Sequence, residues 1–104
     1  MLKWKMAEIV GYEPITTFWT DFSIADFYGL SGIQETYDAT FAEWKGNYKY
    51  LTELVMVLNH KIWEWYGHDD ERAELYNDLW MKASVYAIEN LKGEELRYYL
   101  EVTD

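Results

Sequence analysis

The sequence contains no cysteine and only one proline. Without cysteine the chain has no disulfide, no thiolate nucleophile and no cysteine-ligated zinc site, and a reducing compartment, the cytoplasm, is expected. No apolar run approaches the roughly 18 residues of a membrane span, and the N-terminus lacks a signal-like apolar segment. We therefore expect a protein that neither spans a membrane nor is secreted.

Positive charge is also scarce, because 19 acidic residues outnumber 9 basic ones and give a formal net charge of −10. Between Met6 and Trp44 there is no lysine or arginine at all. Such a chain repels a phosphate backbone or an anionic membrane at long range. The composition therefore disfavours direct nucleic-acid binding and membrane-surface binding, and it favours a basic protein partner.

What the sequence has is helical periodicity. Half of its residues are hydrophobic, and no repeat or Ser/Gly/Pro-rich linker divides the chain, so residues 1–104 are expected to form one domain. Apolar side chains recur every three or four residues, which predicts an all-α, compact bundle of four or five helices. The expected helices cover 17–28, 32–45, 48–66, 69 or 70 to 90, and 93–101.

The helix boundaries follow from capping residues. Gly29 is expected to stop the first helix, and Ser31 with Gln34 has the spacing of a capping box for the second. Asn47 can cap the third helix, whose LVMVL centre predicts a central position, and Asp69 or Asp70 can cap the fourth. Residues 1–14 show no clear periodicity and are expected to form a short irregular arm, either a strand or loosely ordered.

An acidic stripe lies on the fourth predicted helix. Asp70, Glu74 and Asp78 share one face at i, i+4 and i+8, and Lys82 is the one cation that follows them there. Like charges at this spacing destabilise a helix slightly, so local stability does not account for them. Solubility is one explanation, and imitation of a phosphate backbone that occupies a basic groove on another protein is the other.

Aromatic residues are in excess, with six Trp, ten Tyr and four Phe. Most should be core, but helical projection leaves several apolar side chains that are hard to bury together: Trp19, Trp63, Tyr66, Tyr98 and parts of an apolar strip of Met81, Val85 and Ile88. Half-exposed Trp and Tyr are common in protein interfaces. The sequence therefore leaves open a partner surface, a homodimer, or complete coverage by the remaining helices and the arm.

Two chemical alternatives compete with this interpretation. His60, Glu64 and His68 have metal-ligand spacing, but His60 and Glu64 project beside Lys49 and Glu53 on the polar side of their helix, where water-facing residues are expected.

Acidic pairs Glu71/Glu74 and Glu35/Asp38 are the minimum for a magnesium site in an all-α nucleotide pyrophosphohydrolase of the MazG and dimeric dUTPase type. The order of these pairs differs from that class, and phosphate-loop, dinucleotide, serine-hydrolase and zincin motifs are missing. No catalytic, cofactor-binding or metal-ligating residue is therefore assigned.

The segments 18–29, 47–66, 75–80 and 90–104 are similar in texture to small acidic proteins encoded on conjugative elements and prophages of gut bacteria. That resemblance implies an accessory protein of a mobile element, a group that includes anti-restriction and anti-CRISPR inhibitors. It transfers no catalytic residue.

Together, these observations predict a non-enzymatic acidic module, with no cofactor, that binds a protein partner such as a basic nucleic-acid-binding protein. A structural or regulatory homo-oligomer is the alternative. The predicted partner-binding residues are Glu35, Asp38, Asp70, Glu74, Asp78, Trp63 and Trp80.

Overall fold

The computed structural model describes residues 13–103, and within them the protein is all-α, as predicted. Five helices follow one another along residues 13–103: α1 Phe18–Phe27, α2 Gly29–Trp44, α3 Tyr48–Trp65, α4 Asp70–Asn90 and α5 Glu94–Thr103. Of the arm predicted over residues 1–14, only Glu13 and Pro14 are described, so the arm prediction lies largely outside the described residues.

Helix α3 is the centre of the bundle, as its apolar middle predicted. It contacts each of the other four helices, most extensively α4, with which it forms an antiparallel pair. Every residue from 51 to 58 is buried, so α3 is covered around its whole circumference over two turns. The shared core also takes in Phe22 from α1, Ile33 from α2 and Leu79 from α4.

Two of the predicted caps are confirmed. The Asn47 side chain accepts hydrogen bonds from the backbone N–H groups of Lys49 and Tyr50, at 3.1 and 3.2 Å. Asp69 does the same at the start of α4, where its carboxylate accepts the N–H of Arg72 at 3.1 Å. Each cap satisfies a donor that has no partner inside its helix.

The capping box predicted at Ser31 and Gln34 is wrong. Helix α2 already begins at Gly29, three residues after Asp26, so Ser31 lies inside the helix. Gly29 has φ +74°, a conformation that costs glycine little, and it both ends α1 and begins α2 without an intervening loop. No side chain caps the start of α2.

The expectation that polar residues on this side of α3 face water is wrong for Glu53, although Lys49 and Glu64 are exposed. Glu53 is 1% exposed, because the chain at Ile15 and Thr16 crosses this side of the helix. Its carboxylate accepts both backbone N–H groups, at 3.0 and 3.1 Å, and the Thr16 hydroxyl as well. Thr16 in turn accepts the N–H of Phe18 at 3.1 Å, so this buried acid fixes the start of α1.

Within residues 13–103, no helix combines the length and the apolar character that crossing a membrane requires.

Candidate interaction surface on helix α4

A buried polar cluster ties the end of α1 to α3 and α4. The Asp26 carboxylate accepts hydrogen bonds from Lys61 Nζ at 2.7 Å, Tyr76 Oη at 2.6 Å and Trp65 Nε1 at 3.3 Å. Lys61 is only 3% exposed, so its ammonium group depends on Asp26 and on Glu64, 3.2 Å away, for compensation. We call Asp26, Lys61, Trp65, Arg72 and Tyr76 the Asp26 cluster.

Arg72 joins this cluster from the first turns of α4. Its Nη1 donates to the backbone carbonyl of Asp26 at 2.9 Å, and its guanidinium lies 4.4 Å from the centre of the Trp65 ring. Arg72 and Tyr76 are four residues apart and therefore point to the same, inner side of α4. Burial and the hydrogen bond to Asp26 raise the pKa of the Tyr76 hydroxyl, which stays protonated as a donor.

The position of Arg72 determines the charge of the opposite side of α4. Arg72 and Lys82 are the two cations of this helix, and Arg72 is turned inward toward Asp26. Asp70, Glu74 and Asp78 are all exposed, and none of them forms an ion pair with another residue of the described chain. The acidic stripe is therefore a real surface feature whose charge is not neutralised locally.

The apolar strip continues the acidic stripe along the same face. Met81, Val85 and Ile88 are 49%, 51% and 51% exposed, and they follow Asp78 at steps of three, four and three residues. We call the six residues Asp70, Glu74, Asp78, Met81, Val85 and Ile88 the α4 ridge. At a rise of about 1.5 Å per residue it is about 27 Å long, acidic over its first half and apolar over its second.

The apolar half of the ridge lies above buried residues of the same helix. Leu79, Ala83 and Ala87 are fully buried beneath it, and Tyr86 packs edge-to-face on Phe41 of α2 with ring centres 5.0 Å apart. Helix α4 is thus held at its start by the Asp26 cluster and at its end by apolar packing. Both halves of the ridge are presented to solvent on a rigid helix.

The other predicted partner-binding residues lie elsewhere. Glu35 and Asp38 are exposed on α2, where Glu35 lines a shallow groove with Asp21 and Tyr28. Trp63 is exposed on α3, and its ring lies 5.7 Å from that of Tyr66. Trp80 is half-buried against the core, so most of its ring contributes to the fold. The seven residues are therefore distributed over three helices, and only the three α4 acids form one continuous row.

The residues weighed as metal ligands are engaged in other ways. His60 Nε2 lies 3.6 Å from Glu64 Oε1, and the same carboxylate pairs with Lys61, while His68 is exposed beyond the end of α3. In the part of the chain that the structure describes, no three His, Asp or Glu side chains are grouped so as to hold a metal ion.

Sequence reasoning missed the Asp26 cluster, although one signal pointed to it. At 100° per residue Lys61 falls on the same side of α3 as Leu54, Leu58 and Trp65, which form its apolar stripe. A lysine there needs a buried anion. The sequence contains 19 candidate acids, and nothing in their spacing identifies Asp26 as the partner.

The α4 ridge thus combines exposed acids with exposed apolar side chains, and the Asp26 cluster holds the start of its helix in place. Comparison of the chain with models of protein families, with curated proteins and with solved structures finds no match.

Proposed function

We propose that the protein is a non-enzymatic binding module that uses the α4 ridge to cover a basic surface on a protein partner. The observation that carries the proposal is the inward turn of Arg72, which leaves Asp70, Glu74 and Asp78 exposed without an ion-pair partner in the described chain, with Lys82 as the other cation of α4. The net charge of −10 attracts a cationic partner at long range, and the ridge concentrates that attraction on one face.

The partner we propose is a nucleic-acid-binding protein, because such proteins carry the basic surfaces that carboxylate rows fit. The resemblance to small acidic proteins of mobile elements favours a host-defence protein within that class. Blocking its basic surface would inhibit it without any reaction on the part of this chain.

Self-association through the apolar strip is the competing proposal. Stable interfaces bury about 800 Å² on each partner, and three half-exposed side chains supply far less than that. Extending the interface along α4 would bring the acidic stripe of each copy into it with only Lys82 to compensate. The ridge therefore suits a partner of opposite charge better than a second copy.

Salt dependence tests the proposed function. Immobilised protein is incubated with nuclease-treated lysate of the cell that encodes it, and bound proteins are eluted from about 0.1 M to about 1 M salt, which shortens the Debye length from about 10 Å to about 3 Å. We expect the immobilised protein to retain a basic protein. That protein should elute as the salt concentration rises, and duplex DNA should displace it.

Retention indifferent to salt and to DNA would contradict the proposal. Light scattering of the pure protein is the control for self-association, since a stable dimer that protects the apolar strip would support the competing proposal instead.

A further inference from the structure

The two halves of the α4 ridge place different demands on whatever covers them. A nucleic-acid groove is lined with cations along its length, which suits Asp70, Glu74 and Asp78 but leaves Met81, Val85 and Ile88 facing charged side chains. Apolar side chains left against charges gain nothing from burial, and the desolvated charges are destabilised. A surface that matches the whole ridge must change from basic to apolar within about 27 Å.

The shape of the ridge indicates which structural element of a partner can cover it. It is convex, and its residues advance by three or four along one face of the helix, the spacings that form the ridges with which helices pack into each other's grooves. An amphipathic helix can present cations over one half of a face and apolar side chains over the other.

We therefore propose that the partner docks on α4 through one amphipathic helix, with a basic half over Asp70 to Asp78 and an apolar half over Met81 to Ile88. This inference rests on the proposed function and specifies the structural element that the partner contributes. Charge complementarity selects the occupant, because the acidic stripe lies in line with the apolar strip and forms no ion pair within the described chain.

Three synthetic helical peptides test this docking mode. The block peptide carries leucine and isoleucine on one face of one half and lysine on the same face of the other half. The mixed peptide has the same composition with the two residue types interleaved along that face, and the lysine peptide has lysine throughout the face. Binding of each labelled peptide is measured by fluorescence anisotropy at low and high salt.

We expect the block peptide to bind at least about tenfold more tightly than the mixed peptide, since burying even one aliphatic side chain supplies that factor. Ile88→Asp should remove the difference. Ile24→Asp is the matched control, because Ile24 is the same residue type, 51% exposed like Ile88, and lies on α1. Met81→Ser gives a milder second variant on the ridge, and circular dichroism verifies that each variant keeps its helices.

The outcomes separate the two proposals. Equal, salt-sensitive binding of all three peptides would overturn the docking mode and leave the proposed function standing. Loss of the block preference in Ile24→Asp would place the apolar contact on another face and overturn it as well. If none of the peptides bound in a salt-dependent way, both proposals would fail.

Discussion

Replacing Asp26 by alanine should lower the free energy of unfolding by about 3 kcal/mol, because it leaves a buried ammonium group without its main counter-charge. Lys61 would keep only Glu64, whose side chain is 39% exposed, and the Tyr76 hydroxyl and Trp65 N–H would lose their acceptor. The total free energy of unfolding of a domain is typically about 5–15 kcal/mol, so such a loss is large. Chemical denaturation followed by tryptophan fluorescence measures it.

The control is Glu43→Ala, an exposed acid of α2, which should change stability by no more than about 0.5 kcal/mol. A double-mutant cycle then isolates the ion pair. Lys61→Met should cost less in the Asp26→Ala protein than in the wild type, since the ammonium group has already lost its partner there. Additive effects of the two substitutions would show that Asp26 and Lys61 do not stabilise each other as described.

Reversing the acidic stripe, with Asp70→Lys, Glu74→Lys and Asp78→Lys combined, should weaken binding of the basic partner by about a hundredfold or more. Three close attractions become repulsions, and close charge pairs in interfaces couple by more than 1 kcal/mol each. The side chains are exposed and make no ion pair within residues 13–103, so the fold should persist. Isothermal titration with the partner or with the block peptide gives the affinity.

The matched control reverses three exposed acids on other helices, Glu43→Lys, Glu95→Lys and Glu101→Lys. Both triple variants change the net charge from −10 to −4, because each reversal adds two positive charges. The control should therefore lose long-range attraction equally and stay within about tenfold of the wild type. Similar losses of affinity in the two variants would mean that the net charge governs binding and that no particular face of the protein does.

The helices could be predicted because their signals are local. Asn47 and Asp69 cap the helices that follow them, and the apolar centre of α3 predicted its central place. These features depend on residues within one or two turns of each other, which a single sequence displays. The start of α2 was misplaced because a positive φ at Gly29 lets one helix follow another directly, and glycine is equally compatible with a loop.

The buried charges could not be predicted in the same way. Glu53 looks like a water-facing residue in projection, but it accepts hydrogen bonds from Ile15 and Thr16, which are 38 and 37 residues away in the sequence. Asp26 meets Lys61 and Tyr76 across separations of 35 and 50 residues. Such pairings are tertiary, and one sequence without a structure gives no means of choosing among many possible partners.

The candidate site could be predicted in part. The acidic stripe and the apolar strip were each visible as helical spacing, and the structure shows both exposed on one continuous face. The sequence could not show that Arg72, which lies between Asp70 and Glu74, turns away from them to Asp26. That inward turn leaves Lys82 as the other cation of α4, and it depends on the hydrogen bond from Arg72 to Asp26 of α1.

Side-chain footprinting by hydroxyl radicals tests the role of the α4 ridge most directly. The protein is oxidised alone and saturated with its partner, and the modified residues are located by mass spectrometry. Our account predicts that oxidation of Met81, Val85 and Ile88 falls on binding, while exposed Ile24 and Phe27 of α1 react as before. Undiminished oxidation of Met81, Val85 and Ile88, with protection of Ile24 and Phe27 in their place, would contradict it.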